Sequence, residues 1–287
     1  MFKNTMKTTV LLGGMGGLIV AVAGIVGGGS SASLIMGLGL AFVMVGGSYW
    51  FSDKLALKSA KAHVITEAEA PEFYGMIRRL AERANMPMPT VAISPNAQPN
   101  AFATGRGPKH AVVCATQGLL ETLTRDEVEG VMAHELMHVK HRDILIGSVA
   151  AAIATAISFM AQMAMFSSMF GGRDRRNNNV IGMLAMSLLA PIAASVIQMA
   201  ISRSREFEAD RGAAELLGNG ESLARALEKI EVIAAQRPMA VAPAQAQAYI
   251  HNPLAEAHSS RRGGPNLSKL FSTHPATEER VRRLRAI

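Results

Sequence analysis

Long uncharged apolar stretches alternate with polar stretches along this chain. Residues 8–52 contain no charged side chain, which is too long for one membrane-spanning helix and about right for two. A Gly/Ser patch at residues 27–33 divides this stretch. The pattern predicts a helical hairpin, with one helix from about Thr9 to Val26 and another from about Leu34 to Trp50.

A second pair of uncharged stretches occupies residues 144–172 and 177–202. They predict two more apolar helices, so the chain is expected to have up to four hydrophobic helices. The connection between the two stretches is rich in arginine, which opposes the positive-inside rule if both helices cross the bilayer. Two geometries therefore remain open, a full pair of spans or a shallow hairpin. Either one returns the flanking polar segments to the same side.

The polar segment at residues 63–143 has the patterns of a mixed α and β domain. Thr66 and Glu69 have capping-box spacing and predict the start of an amphipathic helix. Two β-branched runs, "TVAIS" and "HAVVCAT", predict strands of a small sheet, and the stretch between them is expected to be a loop. The segment after residue 203 is expected to be largely helical, except for a loop at about 238–266.

Composition and charge strengthen the membrane interpretation. Hydrophobic residues make up 49% of the chain and charged residues only 18%, and the formal net charge is +7. No nucleic-acid-binding motif is present, so the basic balance favours the lipid bilayer as a partner. Lysines flank the N-terminal hairpin on both sides, which predicts that both of its ends lie in the cytoplasm. The single cysteine, Cys114, excludes an internal disulfide.

The candidate chemistry is concentrated in "HELMH". Thr124 and Glu127 form a second capping box, which places the motif on a helix. Positions i and i+4 share one helix face, so His134 and His138 can present two nitrogens to one zinc ion. Glu135 is adjacent and is expected to act as the general base that takes a proton from water. Surface histidines beside a glutamate are the alternative interpretation.

A catalytic zinc site needs a third protein ligand, and three candidates exist. His141 follows on the same helix but lies past a tetrahedral centre. Glu206 is spaced four residues from Asp210, so Glu206 could bind the metal while Asp210 orients a ligand histidine. His274 is the weakest candidate. Spacing alone leaves open the alternative that Glu206 and Asp210 form a solvated acidic face with nearby arginines.

Four motifs in order carry a family resemblance: "PNAFATG", "HELMHVKHRD", "SREFEAD" and "STHPATEERVRRL". With the N-terminal hairpin, they resemble the HtpX-type membrane zinc metalloproteases, which are related to the CaaX prenyl-protein endopeptidases. The resemblance implies that His134, His138 and Glu206 bind one zinc ion and that Glu135 is the base. It also implies a multi-pass protein of the bacterial inner membrane. Its active site would face the cytoplasm and cut misfolded or surplus membrane proteins.

The same resemblance suggests further site residues. Asn100, Ala101 and Phe102 would lie near the cleft, where an extended substrate pairs with a sheet edge. His274 would stabilise the tetrahedral oxyanion. Simpler alternatives remain, namely that Asn100 caps a turn and that His274 caps the last helix.

The expected fold is a mainly α integral membrane protein with a cytosolic, zincin-like α+β catalytic domain. Its expected parts are a hairpin at 1–53, catalytic segments at 54–143 and 203–287, and a second hydrophobic pair at 144–202. Ile144 follows His138 by six residues, about 9 Å along a helix, so the metal is expected near the bilayer surface.

Two other functions are consistent with parts of the sequence. One is a CaaX-type prenyl-protein endopeptidase, although those proteins have more spanning helices. The other is a non-catalytic zinc-containing membrane adaptor, for which Glu135 would have no role. The natural substrate and the oligomeric state are not predicted.

Overall fold

Helices predominate over one small sheet in the part of the chain that the structure describes, as the sequence predicts. The computed structural model describes residues 2–26, 29–142, 144, 203–236 and 275–287. The helices of these ranges are α1 Phe2–Val26, α2 Ser31–Ser59, α3 Pro71–Arg83, α4 Gln117–Thr122, α5 Arg125–His141, α6 Arg203–Leu217, α7 Glu221–Gln236 and α8 Thr277–Leu284. The strands are β1 His63–Val64, β2 Thr90–Ser94, β3 Ala101–Gly105 and β4 Ala111–Thr116.

The N-terminal hairpin consists of α1 and α2, which pack against each other. Their close approach depends on Gly37, because a Cβ added there would lie 2.5 Å from the Cβ of Ala23. Helix α2 continues past the predicted end at Trp50 and stops at Ser59. It therefore crosses the expected boundary at residue 53, and its last turns join the next part of the fold.

In this hairpin, the segment that is long and apolar enough for a membrane span is bent. Within the described ranges, no unbroken helix has both the length and the hydropathy of a membrane span. One bent pair, Ser31–Gly47 and Tyr49–Ser59, meets both requirements when its halves are combined, with 62° between them. Large apolar side chains such as Ile35, Phe42 and Trp50 are exposed along α2.

The sheet has the strand order β1-β2-β4-β3. Strands β2 and β4 are parallel, whereas β1 and β3 pair antiparallel with their neighbours. Both β-branched runs form strands as predicted. The expectation that "AFATG" is part of a loop is wrong, because it forms β3. Ala and Gly have low strand propensity, and it is the ladder to β4, with Phe102 opposite Cys114, that makes this segment a strand.

The two faces of the sheet contact different helices. Alternation along β3 directs Ala101 into the main core, which also contains buried residues of α3 and α5. Phe102 lies on the other face in a separate cluster with Cys114. The end of α2 covers this second face through partly buried residues that include Leu57.

Helix α3 begins later than its capping-box signal predicts. The backbone N–H of Thr66 donates to the Glu69 carboxylate at 2.6 Å, but this contact closes a turn that precedes the helix. The first helical residue is Pro71. Proline restricts the residue before it to non-helical conformations and lacks an N–H of its own, so Ala70 is the N-cap and the helix starts at the proline.

Helix α5 is the centre of the catalytic part of the fold and packs against α6 and α7. Two glycines permit these contacts. A Cβ on Gly130 would lie 2.7 Å from the backbone nitrogen of Leu223 in α7. A Cβ on Gly212 in α6 would lie 2.9 Å from the Met137 sulfur of α5. Both neighbouring helices are therefore held close to the motif-bearing helix.

The short C-terminal helix α8 is fixed to α7 by charge and close packing. The Arg285 guanidinium pairs with the carboxylates of Glu221 and Glu228, with nitrogen–oxygen distances of 3.0 Å to each. At the start of α7, Gly220 meets the backbone of Leu284 so closely that a Cβ would overlap the carbonyl oxygen. The end of the chain is thus part of the folded domain.

Several sequence predictions fall outside the described residues. These are the apolar helices at 145–202, the loop at 238–266 and His274. Ile144 is described, and it is buried in the same hydrophobic cluster as α5.

Candidate metal centre

Helix α5 begins where its sequence signal predicts and presents the HExxH residues on a rigid element. Thr124 is the N-cap, and its backbone N–H donates to the Glu127 carboxylate at 2.8 Å, as in a capping box. His134 and Glu135 are both buried. The helix ends at His141, because the next residue adopts a left-handed conformation with φ 61°.

The estimate of about 9 Å from His138 to Ile144 assumed one continuous helix, and that assumption is wrong. The left-handed residue Arg142 interrupts the helix between the two. The six residues still limit the separation to about 20 Å when fully extended. Ile144, the first residue of the apolar stretch, also packs into the core that contains α5.

Helix α6 supplies the acidic residues. Glu206 and Asp210 are buried, at 7% and 3% exposure, whereas Glu208 between them is exposed. The interpretation of Glu206 and Asp210 as a solvated acidic face is therefore wrong. Arg211, one of the nearby arginines that this interpretation would pair with them, binds Glu215 instead, at 2.7 Å.

His134, His138 and Glu206 converge on one point. The Nε2 atoms of the two histidines are 3.1 Å apart. The carboxylate oxygens of Glu206 lie 3.7 Å from His134 Nε2 and 3.6 Å from His138 Nε2. All three ligand atoms fall within 4.8 Å of one another. The structure thus brings together the three residues predicted as metal ligands from two helices that are distant in sequence.

These separations suit a small tetrahedral cation. Ligand atoms about 2.0–2.1 Å from a tetrahedral ion lie about 3.3 Å from each other. This spacing lies between the 3.1 Å that separates the two Nε2 atoms and the 3.6–3.7 Å from each of them to one of the two Glu206 oxygens. Charge supports the same fit. The carboxylates of Glu135, Glu206 and Asp210 and the guanidinium of Arg280 are all buried, with formal charges of −3 and +1 and a sum of −2. A divalent cation neutralises that sum.

Asp210 orients His134. Its Oδ1 atom lies 2.9 Å from Nδ1 of His134, so the imidazole donates there and its Nε2 lone pair faces His138 and Glu206. Burial lowers the pKa of His134, the hydrogen bond and charge of Asp210 oppose this decrease, and the charges of His138 and Arg280 add to it. The net decrease favours the neutral form of the imidazole, which is the form that binds a metal. Burial alone would raise the pKa of Asp210, but Arg280 and His134 hold it well below its usual value.

Arg280 of α8 is the member of this cluster that the sequence did not reveal. It donates to both carboxylate oxygens of Asp210, from Nε at 2.8 Å and from Nη2 at 2.7 Å. The sequence signal for its burial is the helical spacing that places it beside the apolar residues of α8. Val281 and Leu284 are the buried apolar positions of α8, and Arg280 shares their face.

Comparison with known proteins identifies the group to which this arrangement belongs. Residues 67–287 match Peptidase family M48. The chain belongs to peptidase family M48. This M48 chain is 51% identical over 288 residues to the Protease HtpX homolog of Burkholderia mallei, covering 98% of this chain and 96% of that protein. The Protease HtpX homolog of Burkholderia pseudomallei matches at the same identity and coverage.

A solved structure resembles the M48 chain at lower identity. Ste24p of S. mikatae is similar with a TM-score of 0.50 and 19% identity over 99% of this chain. The chain spans 66% of the length of that protein. At this identity the likeness shows the fold alone. Family membership makes the protein a metalloprotease, so the non-catalytic adaptor alternative is not supported.

The residues predicted to line the cleft of this M48 chain are all buried at β3. Asn100 precedes the strand; its N–H donates to Thr116 Oγ1 at 2.8 Å, and its side-chain oxygen accepts from the Ala101 N–H at 2.9 Å. Ala101 faces the core that contains α5. Phe102 lies on the opposite face, so any contact of Phe102 with a chain bound beside α5 must come through its main chain.

Proposed function

We propose that this M48 protease is a membrane-bound zinc endopeptidase that cleaves misfolded or surplus membrane proteins. Its active site faces the cytoplasm at the inner membrane of a bacterium, and it holds one zinc ion per chain. The observation that carries the proposal is the convergence of His134, His138 and Glu206 within 4.8 Å, on the helix of Glu135 and its neighbour α6.

Zinc fits the ligand chemistry best. Two imidazole nitrogens and one carboxylate form a typical catalytic zinc set that leaves a fourth position open. Asp210 and Arg280 are bonded to each other, which reserves them for orienting the ligands. When bound at such a set, zinc acidifies water and polarises a carbonyl group.

Glu135 moves the protons of the reaction. Its carboxylate follows His134 in the same helix and is buried, so it meets the reacting water away from bulk solvent. It accepts a proton as the water oxygen attacks the peptide carbonyl carbon, and it then delivers that proton to the leaving amine nitrogen as the C–N bond breaks. His274 is proposed to donate a hydrogen bond to the tetrahedral oxyanion.

Substrate binding is assigned to β3. This strand ends the sheet formed by the described residues, and it contacts α5. An extended polypeptide that pairs with such a strand is held by main-chain hydrogen bonds, which select little for sequence. Asn100 supports this arrangement by holding the start of β3 against Thr116. Low sequence selectivity suits an enzyme of protein quality control.

The membrane location follows from charge and chain connectivity. Lysines flank the hairpin on both sides, which supports a cytoplasmic location for both of its ends. The apolar stretch at residues 144–172 begins six residues after His138, and its first residue packs into the catalytic core. A peptide bond that has just left the bilayer is therefore the nearest substrate. The likeness to Ste24p shows a shared fold and selects no substrate, so no observation favours the CaaX alternative.

The decisive experiment compares the full-length protein in proteoliposomes with two glutamate variants. Glu135→Gln is expected to retain zinc, measured by elemental analysis, and to lose cleavage of a co-reconstituted membrane protein. Glu129→Gln makes the same change on the same helix at a half-exposed position and serves as the matched control. His134→Ala is expected to lose the metal. Full activity of Glu135→Gln, or unchanged zinc in His134→Ala, would refute the proposal.

The substrate class is tested with one unstructured segment in two contexts. The segment is placed directly after a transmembrane helix in one substrate and in a soluble carrier in the other. Faster cleavage of the membrane-anchored form is expected, and equal rates would contradict the location inferred for the site. A farnesylated C-terminal peptide is the third substrate, and its cleavage in preference to both others would favour the CaaX alternative.

A further inference from the structure

Arg280 is buried at an energetic disadvantage that needs explanation. It is only 2% exposed and is among the largest fully buried side chains of the described residues. The neighbouring arginines all remain exposed, namely Arg282 and Arg283 on α8 and Arg285 directly after it. A guanidinium loses its hydration on burial, and this loss is offset only by well-placed partners. The position of Arg280 therefore reflects a specific partner rather than the general basicity of the helix.

That partner connects Arg280 directly to the metal ligands. Nε and Nη2 of Arg280 bind the two oxygens of Asp210 in a bidentate pair. The Asp210 oxygen that receives Nη2 is also the one 2.9 Å from Nδ1 of His134. Nη2 itself lies 3.5 Å from both ring nitrogens of His134. The three side chains thus form a continuous chain of contacts that ends at a ligand.

Each side chain in this series of contacts has its own role. A carboxylate held by one contact can rotate about its own bond, whereas a bidentate guanidinium fixes the plane of both oxygens. The plane of Asp210 in turn fixes the orientation and tautomer of His134. Arg280 also supplies a buried positive charge beside the buried carboxylates of Glu135, Glu206 and Asp210.

We propose that Arg280 is a positioning residue of the metal centre, which fixes Asp210 and through it His134, and that the C-terminal helix α8 is therefore an integral part of that centre. The inference rests on the proposed function, because it assigns a role toward the ion that His134, His138 and Glu206 hold. It adds to the centre a residue of α8 that does not bind the ion itself.

The test measures metal affinity of the full-length protein in detergent by competition with a chelator, using Zn²⁺ and Co²⁺. Arg280→Met is expected to weaken binding by about 10- to 100-fold, the range typical of residues that orient metal ligands. Arg285→Met is the control, since it removes an arginine that docks α8 onto α7 without contacting Asp210. It is expected to change the affinity by less than about twofold.

A second variant guards against misfolding. Arg280→Met with Asp210→Leu replaces the buried ion pair by apolar side chains, a change that is often neutral for stability. This double variant is expected to melt near the temperature of the wild type. Its metal affinity should be as low as that of Asp210→Leu alone, within about threefold. The two substitutions interrupt the same series of contacts, so their effects on the affinity should not add. The visible spectrum of bound Co²⁺ reports the orientation of the ligands. It should therefore change in the same way in the double variant and in Asp210→Leu.

Three results would overturn the inference. They are wild-type affinity in Arg280→Met, wild-type affinity in the folded double variant, and an equal loss in Arg285→Met. The last would show that α8 matters only by docking. Failure of the wild type to bind either ion would instead refute the metal centre itself, so the two failures are distinguishable.

Discussion

Gly130 offers a quantitative test of the packing that positions the HExxH helix. Alanine favours a helix interior over glycine by about 1 kcal/mol, so propensity alone predicts that Gly130→Ala stabilises α5. The structure predicts the opposite. The added Cβ would lie 2.7 Å from the nitrogen and 3.0 Å from the Cα of Leu223, both backbone atoms of α7.

These distances determine how far α5 and α7 must move apart to accept the added Cβ. Ordinary contact begins at 3.4 Å, so α5 and α7 must separate by about 3.4 − 2.7 = 0.7 Å. Backbone atoms cannot rotate away as a side chain does, and overpacking of this kind costs about 1–3 kcal/mol. After the gain in propensity, Gly130→Ala is expected to destabilise the protein by about 1–2 kcal/mol.

The matched control is Gly75→Ala in α3. Its added Cβ would meet only the end of the Arg79 side chain, at 3.6 Å. The propensity gain is the same in both variants, so their difference isolates the packing. Thermal unfolding in one detergent at one scan rate should place Gly130→Ala below the wild type and Gly75→Ala above it. The separation is expected to be about 2–4 °C per kcal/mol. Equal melting temperatures for the two variants would refute the reasoning.

Three further predictions concern burial, pH and metal. Burial raises the pKa of Cys114 to about 12. The folded protein should therefore resist a thiol reagent at pH 8 and react once unfolded, and fast reaction of the native state would contradict the burial. Burial alone would raise the pKa of Glu127, but hydrogen bonds from Lys229 and Thr124 lower it below the usual 4.5. The stabilisation from this pair is thus present above pH 4.5 and lost as the pH falls further, so the melting temperatures of Lys229→Met and wild type should converge in acid. Chelation should lower the melting temperature, and zinc at 100 times its dissociation constant should restore about 2.7 kcal/mol.

Local signals in the sequence predicted those elements whose ends are fixed by nearby residues. The start of α5 follows from Thr124 and Glu127, because both halves of the cap lie within four positions. The same signal at Thr66 was misleading, since Pro71 five positions later sets the true start of α3. A capping box therefore predicts the start of a helix only when no stronger constraint, such as a proline, follows within a few residues.

Features that depend on distant partners were harder to predict. Strand β3 has the composition of a loop and forms because β4 pairs with it. The placement of Glu206 beside the histidines required packing of α6 against α5, which spacing alone left undecided. Arg280 was missed because a basic residue in a basic helix gives no sign of burial, although its register with Val281 and Leu284 places it on the inner face.

The metal centre and the end of the chain are linked thermodynamically through these distant contacts. Without a cation, Glu135, Glu206, Asp210 and Arg280 together carry a formal charge of −2, and removing Arg280 would leave −3. Any ion that favours the ordered arrangement of His134 and Asp210 must also favour docking of α8, since Arg280 joins them. By reciprocity, docking of α8 strengthens metal binding by the same factor. With the role proposed for Arg280, the metal affinity is therefore expected to reach its full value only when α8 has docked.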